Sequence, residues 1–244
     1  MMTLRRWERG FSVAPADQLD MVVYFWFYEW NMFEAVHEGQ HTRGRFDFEW
    51  NVESENATLD CKLFRVSATA VEDGATLNLS VTNNSGRDWP EEAAIIPCFN
   101  PGHKNSVGQN LKLVDDSHSR TYFVGGRGPA LLQQREIHFN ERLKTRVDAQ
   151  ANDGEFVFSD KWPNMEENST TGLIIREATD GKWVAAIGWE DFLSAQGHNP
   201  WGCMHLSVCV GPLSDGETKD IRGRIYLFEG TKEDCLEKYR RDLL

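Results

Sequence analysis

Two Asp-Gly pairs, each set between runs of alternating side chains, constrain this 244-residue chain more than any other feature. Leu63 to Ala70 and Thr76 to Thr82 flank Glu72-Asp73-Gly74, and Gly172 to Glu177 and Lys182 to Ile187 flank Thr179-Asp180-Gly181. Alternation sends successive side chains to opposite faces of a pleated strand, and a tight primed turn needs the positive φ that Asp and Gly tolerate. Both segments are expected to be β-hairpins.

The same period of two predicts further strands at Val22–Trp30, Gly44–Asn51, Ala93–Phe99, Arg120–Val124, Glu136–Phe139, Gly154–Ser159, Met204–Val210 and Asp220–Glu229. Turn runs such as Asn83-Asn84-Ser85-Gly86, Asn100-Pro101-Gly102 and Ser214-Asp215-Gly216 separate them. One helix is expected near the C-terminus, where Thr231 can cap with Asp234 at its third position and Cys235, Leu236 and Tyr239 share a face. Many short strands with one short C-terminal helix make an all-β fold, an antiparallel β-sandwich of supersandwich or jelly-roll type. No linker, like-charge block or repeat divides the chain, so residues 1–244 are expected to form a single domain.

Asp and Glu outnumber Lys and Arg by 38 to 26, a net charge of −12, with the acids spread along the whole length. Nucleic acid or an anionic membrane would need a basic face, so neither is an expected partner. The N-terminus lacks the apolar core of a signal peptide, and the apolar run from Met21 to Tyr28 is too short to span a bilayer. The sequence as written reads as soluble and cytoplasmic, or secreted if a leader has been removed. Five cysteines without a C-x-x-C pair read as reduced, partly buried thiols rather than a disulfide framework or a structural zinc site.

Chemistry concentrates in the run Gly188 to Gly211. It carries Trp189, Glu190, Asp191, His198, Asn199 and Trp201 in a loop-like stretch that leads into a strictly alternating strand. There Met204, Leu206, Val208 and Val210 point one way, and Cys203, His205, Ser207 and Cys209 the other. An imidazole, a hydroxyl and two thiols on one face read as the wall of a site. A second cluster runs from Tyr28 to His41. Trp26, Tyr28 and Trp30 share one face, with Phe25, Phe27 and Glu29 opposite, so Glu29 lies among apolar groups that would raise its pKa as a general acid needs. His37 and His41, with three residues between them, are the one pair with metal-ligand spacing, and a divalent metal there is the only cofactor the sequence suggests. His103 follows a Pro-Gly turn at the end of an apolar strand, a place where sandwiches build sites. His118 and His138 read as surface or local hydrogen-bonding residues. Arg43, with Arg45, Arg127 and Arg135, could meet an acidic sugar.

Nine tryptophans are far more than a chain of this length ordinarily holds. A flat indole matches the face of a pyranose and offers a donor at its rim, so Trp26, Trp30, Trp189 and Trp201 are the expected sugar platform. Core filling is the competing use of each one.

The segment Ala70 to Pro90, with a hairpin strand ending in Val81-Thr82-Asn83 and a polar turn, resembles a recurring unit of β-sandwich carbohydrate-active proteins. Pro212 to Phe228, with Asp215-Gly216-Glu217-Thr218 ahead of a long last strand, is similar to their closing strand. The nearest family is the galactose-mutarotase-like supersandwich of sugar epimerases, which is also attached to polysaccharide lyases and glycosidases. The resemblance implies a β-sandwich and a sugar ligand. His205 and Glu190 are the nearest counterparts of that family's histidine acid and glutamate base, and no catalytic residue is carried over.

These readings lead to a carbohydrate-active enzyme, a lyase, hydrolase or epimerase. Glu190, His205, Glu29 and one of His37 or His103 would move protons, and His198, Asn199 and Arg43 would help hold the sugar. Two alternatives use the same residues: a non-catalytic carbohydrate-binding module, and a metal-dependent jelly-roll enzyme built on His37 and His41.

Overall fold

A computed structural model describes residues 1–7, 10–18, 21–31, 49–61, 64–102, 112–115, 117–150, 165–197 and 202–244, the side chains of 28–31 and 149–150 excepted. The chain runs β1 (Met2–Trp7), β2 (Gly10–Pro15), β3 (Val23–Asn31), β4 (Trp50–Val52), β5 (Asn56–Asp60), β6 (Phe64–Val71), β7 (Gly74–Thr82) and β8 (Ala94–Pro101). It continues through β9 (Thr121–Gly125), β10 (Gly128–Leu131), β11 (Glu136–Phe139) and helix α1 (Lys144–Gln150). The last elements are β12 (Thr171–Glu177), β13 (Trp183–Trp189), β14 (Phe192–Gly197), β15 (Met204–Cys209), β16 (Thr218–Glu229) and helix α2 (Lys232–Leu243).

The strands form two antiparallel sheets. One has seven strands in the order β1-β2-β3-β8-β15-β14-β11, and the other has nine in the order β10-β9-β12-β13-β16-β7-β6-β5-β4. Apolar residues from both inner faces, among them Phe25, Phe99, Leu206 and Val208 from one and Leu79, Ile187, Ile221 and Ile225 from the other, join in a single core. This is the sandwich that the alternation predicts, with each strand burying every second side chain between the sheets.

Both Asp-Gly hairpins form, joining β6 to β7 with Val71 opposite Gly74, and β12 to β13 with Glu177 opposite Val184. Gly74 has a second reason to be glycine: a Cβ there would collide with the carbonyl of Ile225 on β16. The C-terminal helix begins as expected, with the Thr231 hydroxyl accepting from the Asp234 N–H at 3.2 Å and the Asp234 carboxylate accepting from the Thr231 N–H at 2.9 Å. Its buried face, Cys235, Leu236, Tyr239 and Leu243, covers Leu173, Ile175, Val184, Ala186 and Tyr226 on the outer side of the nine-stranded sheet.

Two expectations change. The run after Gly188 is not a loop: Trp189 ends β13, Glu190-Asp191 carries the chain across to the other sheet, and Phe192–Gly197 is β14. Its polar outer residues disguise a buried strand. Of the expected strand at Gly44–Asn51 only Glu49 to Asn51 are described, with Trp50 and Asn51 in β4, and that at Gly154–Ser159 lies outside the described residues. Helix α1, too short to give a periodic signal, lays Val147 against Ile137, Phe139 and Leu193.

Candidate functional site

The alternation of β15 gives the site its geometry. Met204, Leu206 and Val208 enter the core between the sheets, so Cys203, His205 and Ser207 face the outer side of the seven-stranded sheet. On one side of β15 lies β8, with Met204 opposite Phe99 and Val208 opposite Ile95. That register sets His205 opposite Cys98 and Cys203 opposite Asn100. The side chains agree: His205 Nε2 is 3.2 Å from Cys98 Sγ, and the Asn100 amide donates to Cys203 Sγ at 3.3 Å. On the other side, Gln196 of β14 is opposite His205 and Ser194 is opposite Ser207. Beyond β8, Trp26 of β3 is opposite Cys98 and Tyr24 is opposite Asn100.

A four-strand row therefore crosses the sheet: Trp26, Cys98, His205, Gln196. Hydroxyls border it. The Gln196 amide donates to Ser194 Oγ at 3.1 Å and Ser207 Oγ at 3.2 Å, and the two serine oxygens are 3.1 Å apart. Trp7 closes the aromatic end, its ring centroid 4.9 Å from that of Trp26 and 4.6 Å from that of Tyr24. All of these polar side chains are buried, His205 to 2% exposure and Gln196 to 8%. Burying so many polar groups costs free energy unless each is hydrogen-bonded, and a face needed only for packing would be apolar.

A buried arginine braces one end of this face. Arg176 of β12 donates to Thr121 Oγ1 at 2.6 Å, to the Leu113 carbonyl at 3.1 Å and to the Gly202 carbonyl at 3.2 Å, with Asp115 Oδ2 at 3.7 Å. Burial lowers the Arg176 pKa to about 10 and Asp115 partly offsets this, so the guanidinium stays charged at neutral pH. Burial also acts to raise the Asp115 pKa, but the Arg120 N–H and the Arg176 charge outweigh it and hold the carboxyl below its usual range.

The bulge in β3 decides where Glu29 belongs. Trp26 pairs with Cys98 and Phe27 with Pro97, but the next pair is Glu29 with Ile96, leaving Tyr28 as the extra residue. Glu29 is therefore in register with the rows of Ile96 and Ser207, not with the core rows of Phe25 and Phe27. Strict alternation from Tyr24 put it among the phenylalanines; one inserted residue reverses that placement.

The other expected site residues part company. Trp189 is fully buried in the core between the sheets, its ring against Gly223, where any added Cβ would collide with the indole. It cannot stack on a sugar. Glu190 sits at the crossing between the sheets and accepts from the Arg222 N–H and guanidinium, each at 2.7 Å. It lies beyond Phe192, whereas His205 is opposite Gln196, four residues and about 13 Å further along β14. Glu190 and His205 are thus not a working pair. Trp50, Trp89 and Trp183 are also core residues, so among the described tryptophans only Trp7 and Trp26 border the row. His138 and His118 are buried, so the surface alternative fails for both; local hydrogen bonding holds for His138, whose ring nitrogens lie 2.7 Å from the Glu167 carbonyl and 3.4 Å from Glu136 Oε2 and whose ring stacks on Phe123 with centroids 3.7 Å apart. His37, His41, Arg43, His103, His198, Asn199 and Trp201 lie outside the described residues, as do the side chains of Glu29 and Trp30. Reading the sequence alone missed Cys98, Gln196 and Ser194; only the pairing of β8, β15 and β14 brings them to His205.

No family model matches the sequence, and no curated protein matches it. Two solved structures are similar to the chain. One is an Escherichia coli K12 protein assigned as an aldose 1-epimerase, 11% identical, with a TM-score of 0.37 over 79% of this chain and 71% of that one. The other is a galactose mutarotase-like protein from Clostridium acetobutylicum, 9% identical, with a TM-score of 0.40 over 93% of this chain and 86% of that one.

Proposed function

We propose that this protein acts on a sugar, with a single ring seated on the outer face of the seven-stranded sheet. The observation that carries the reading is the row Trp26–Cys98–His205–Gln196 with its flanking hydroxyls. Four strands span roughly 14 Å at about 4.8 Å per spacing, room for one pyranose between an indole and an amide. Indole faces match the apolar face of the ring, and amide and hydroxyl groups match its hydroxyls. Entry requires that whatever lies over the row moves aside, since its side chains are buried.

The reaction type that suits the row is epimerase-like. Interconverting ring forms needs one group to take a proton and another to polarise an oxygen about a ring away. By register, Glu29 is two strands and two rows from His205, about 12 Å between backbones, a separation that one sugar ring with a group on either side would fill. Glu29 is assigned the proton transfer and the His205 corner the polarisation.

Anomer-exchange NMR on a panel of aldoses, with the full chain, tests this. The native protein should accelerate exchange of at least one sugar, and Glu29→Gln and His205→Ala should each lower the rate by about 10²–10⁴-fold with binding largely kept. Binding with no turnover by the native protein would favour a carbohydrate-binding module. Neither binding nor exchange across neutral and uronic sugars would end the sugar reading.

A further inference from the structure

We propose that Cys98, Cys203 and His205 hold a thiophilic metal ion, zinc by the chemistry of the donors, at the centre of this row. Their sulfur and nitrogen donor atoms all lie within 4.8 Å of one another, and all three residues are buried. A tetrahedral zinc with sulfur at about 2.3 Å and nitrogen at about 2.0 Å sets its ligand atoms roughly 3.5–3.8 Å apart. The 3.2 Å from His205 Nε2 to Cys98 Sγ and the 4.8 Å limit on the trio bracket that spacing. Closing on an ion takes adjustments of up to about 1 Å between donor atoms.

The scaffold is suited to the task. Cys203 immediately precedes β15 and clusters with Cys98 on the outer face, and Cys98 comes from the adjacent strand opposite His205. Backbone ladders fix Cys98 and His205, which limits the entropy lost on binding. Asn100 donates an N–H to Cys203 Sγ at 3.3 Å, the kind of supporting contact that orients a thiolate ligand.

Charge balance points the same way. Two thiolates and one dication sum to zero, so the filled site places no net charge in a dry region, and Asp115 already balances Arg176. Two sulfurs and a nitrogen suit zinc and do not suit calcium or magnesium, which prefer oxygen. Three protein ligands leave a fourth position for a water or a sugar oxygen. On the sugar reading, and only for this consequence, the ion becomes the group that polarises the oxygen at the His205 corner; metal binding itself does not depend on that reading.

A disulfide is the competing use of the two thiols. Cys98 and Cys203 are diagonal rather than opposite, since Cys98 faces His205 and Cys203 faces Asn100. Diagonal positions on adjacent strands are roughly 7–8 Å apart, beyond the usual reach of a disulfide.

The test uses the full chain, reduced and stripped with a chelator, then titrated with Zn²⁺ and separately with Co²⁺. One equivalent of zinc should bind, and cobalt should give thiolate-to-metal charge-transfer absorption. Cys98→Ser, Cys203→Ser and His205→Asn should each weaken zinc binding by at least about 100-fold, more than loss of a supporting contact alone would. Cys209→Ser is the control: its thiol is on the same strand and face but donates to the Glu91 carbonyl, and burial raises its pKa to about 11. It should leave both readouts unchanged. Circular dichroism confirms that each variant is folded, and any one of the three that folds suffices. No charge-transfer band, zinc binding indifferent to all folded variants, or a Cys98–Cys203 disulfide in the untreated protein would each overturn the proposal. Zinc binding without sugar exchange would leave the metal site standing and remove the sugar reading, whereas exchange that survives in a protein binding no zinc would do the reverse.

Discussion

Each sheet has a buried region on its outer side, and the two are built from different materials. On the nine-stranded sheet, Leu173, Ile175, Val184, Ala186 and Tyr226 lie under the apolar side of helix α2. On the seven-stranded sheet the corresponding layer holds Cys98, Asn100, Ser194, Gln196, Cys203, His205 and Ser207. The first arrangement is how a sheet face is ordinarily closed, since it stabilises by about 25 cal/mol per Å² of apolar surface removed from water. The second gains little in that way and must satisfy each polar group in turn. A chain able to write one region in aliphatics has kept this part of the other in hydrogen-bonding groups, and the proposed function rests on that contrast.

Substitutions should therefore separate the two regions. The largest effect is expected beside the helix-covered sheet: Trp189→Ala removes a fully buried indole and should cost about 3–5 kcal/mol in urea denaturation, leaving ligand affinity per folded molecule unchanged. Loss of affinity without loss of stability would mean that Trp189 belongs to the site after all. Gln196→Ala should behave oppositely. Ser194 and Ser207 keep their mutual hydrogen bond, so stability should fall by only about 1 kcal/mol, while sugar affinity measured by calorimetry should drop about 10-fold. A large stability loss with affinity intact would make the polar row structural.

The smallest effect should appear in acid. Burial acts to raise the Asp73 pKa, but the Lys238 hydrogen bond and the Arg224 and Lys238 charges more than offset it, so the folded pKa lies below the unfolded one. A carboxylate of this kind contributes stability that is complete above its unfolded pKa, about 3.9, and lost as pH falls through the lower, folded value. Because Asp73 bridges the β6–β7 turn to Lys238 of α2, hydrogen exchange should show α2 loosening before the seven-stranded sheet as pH drops through that window. Asp73→Asn should flatten that difference. Simultaneous loosening of both regions would show that the helix does not rely on this ion pair.

What the sequence disclosed depended on range. The Asp-Gly hairpins and the Thr231–Asp234 cap are decided within a few residues, so their spacing alone identifies them. The facing of β15 was likewise legible, because alternation within one strand is a local property. The partners of His205 were not: Cys98 is 107 residues away, and nothing in either segment announces the pairing. Trp189 misled for a related reason. Its neighbours Glu190 and Asp191 look like a site, but Gly223, which makes room for the indole, is on another strand. The row between Trp26 and Gln196 is a product of register across four strands, and register is what a single sequence hides.

The extra residue in β3 has a consequence that reaches beyond this fold. Pleated strands carry a two-beat phase, and Tyr28 inserts one silent beat just before the strand's end. With regular pairing Tyr28 would take Ile96 and Glu29 would fall opposite Ile95, in step with Phe25 and Phe27, in the rows that line the core. The one unpaired residue holds Glu29 a row away from that position, whereas deleting Tyr28 would leave Glu29 opposite Ile96 and only straighten the strand. Phase at the end of a strand is thus decided by a single missing partner, more than by which residues the strand contains.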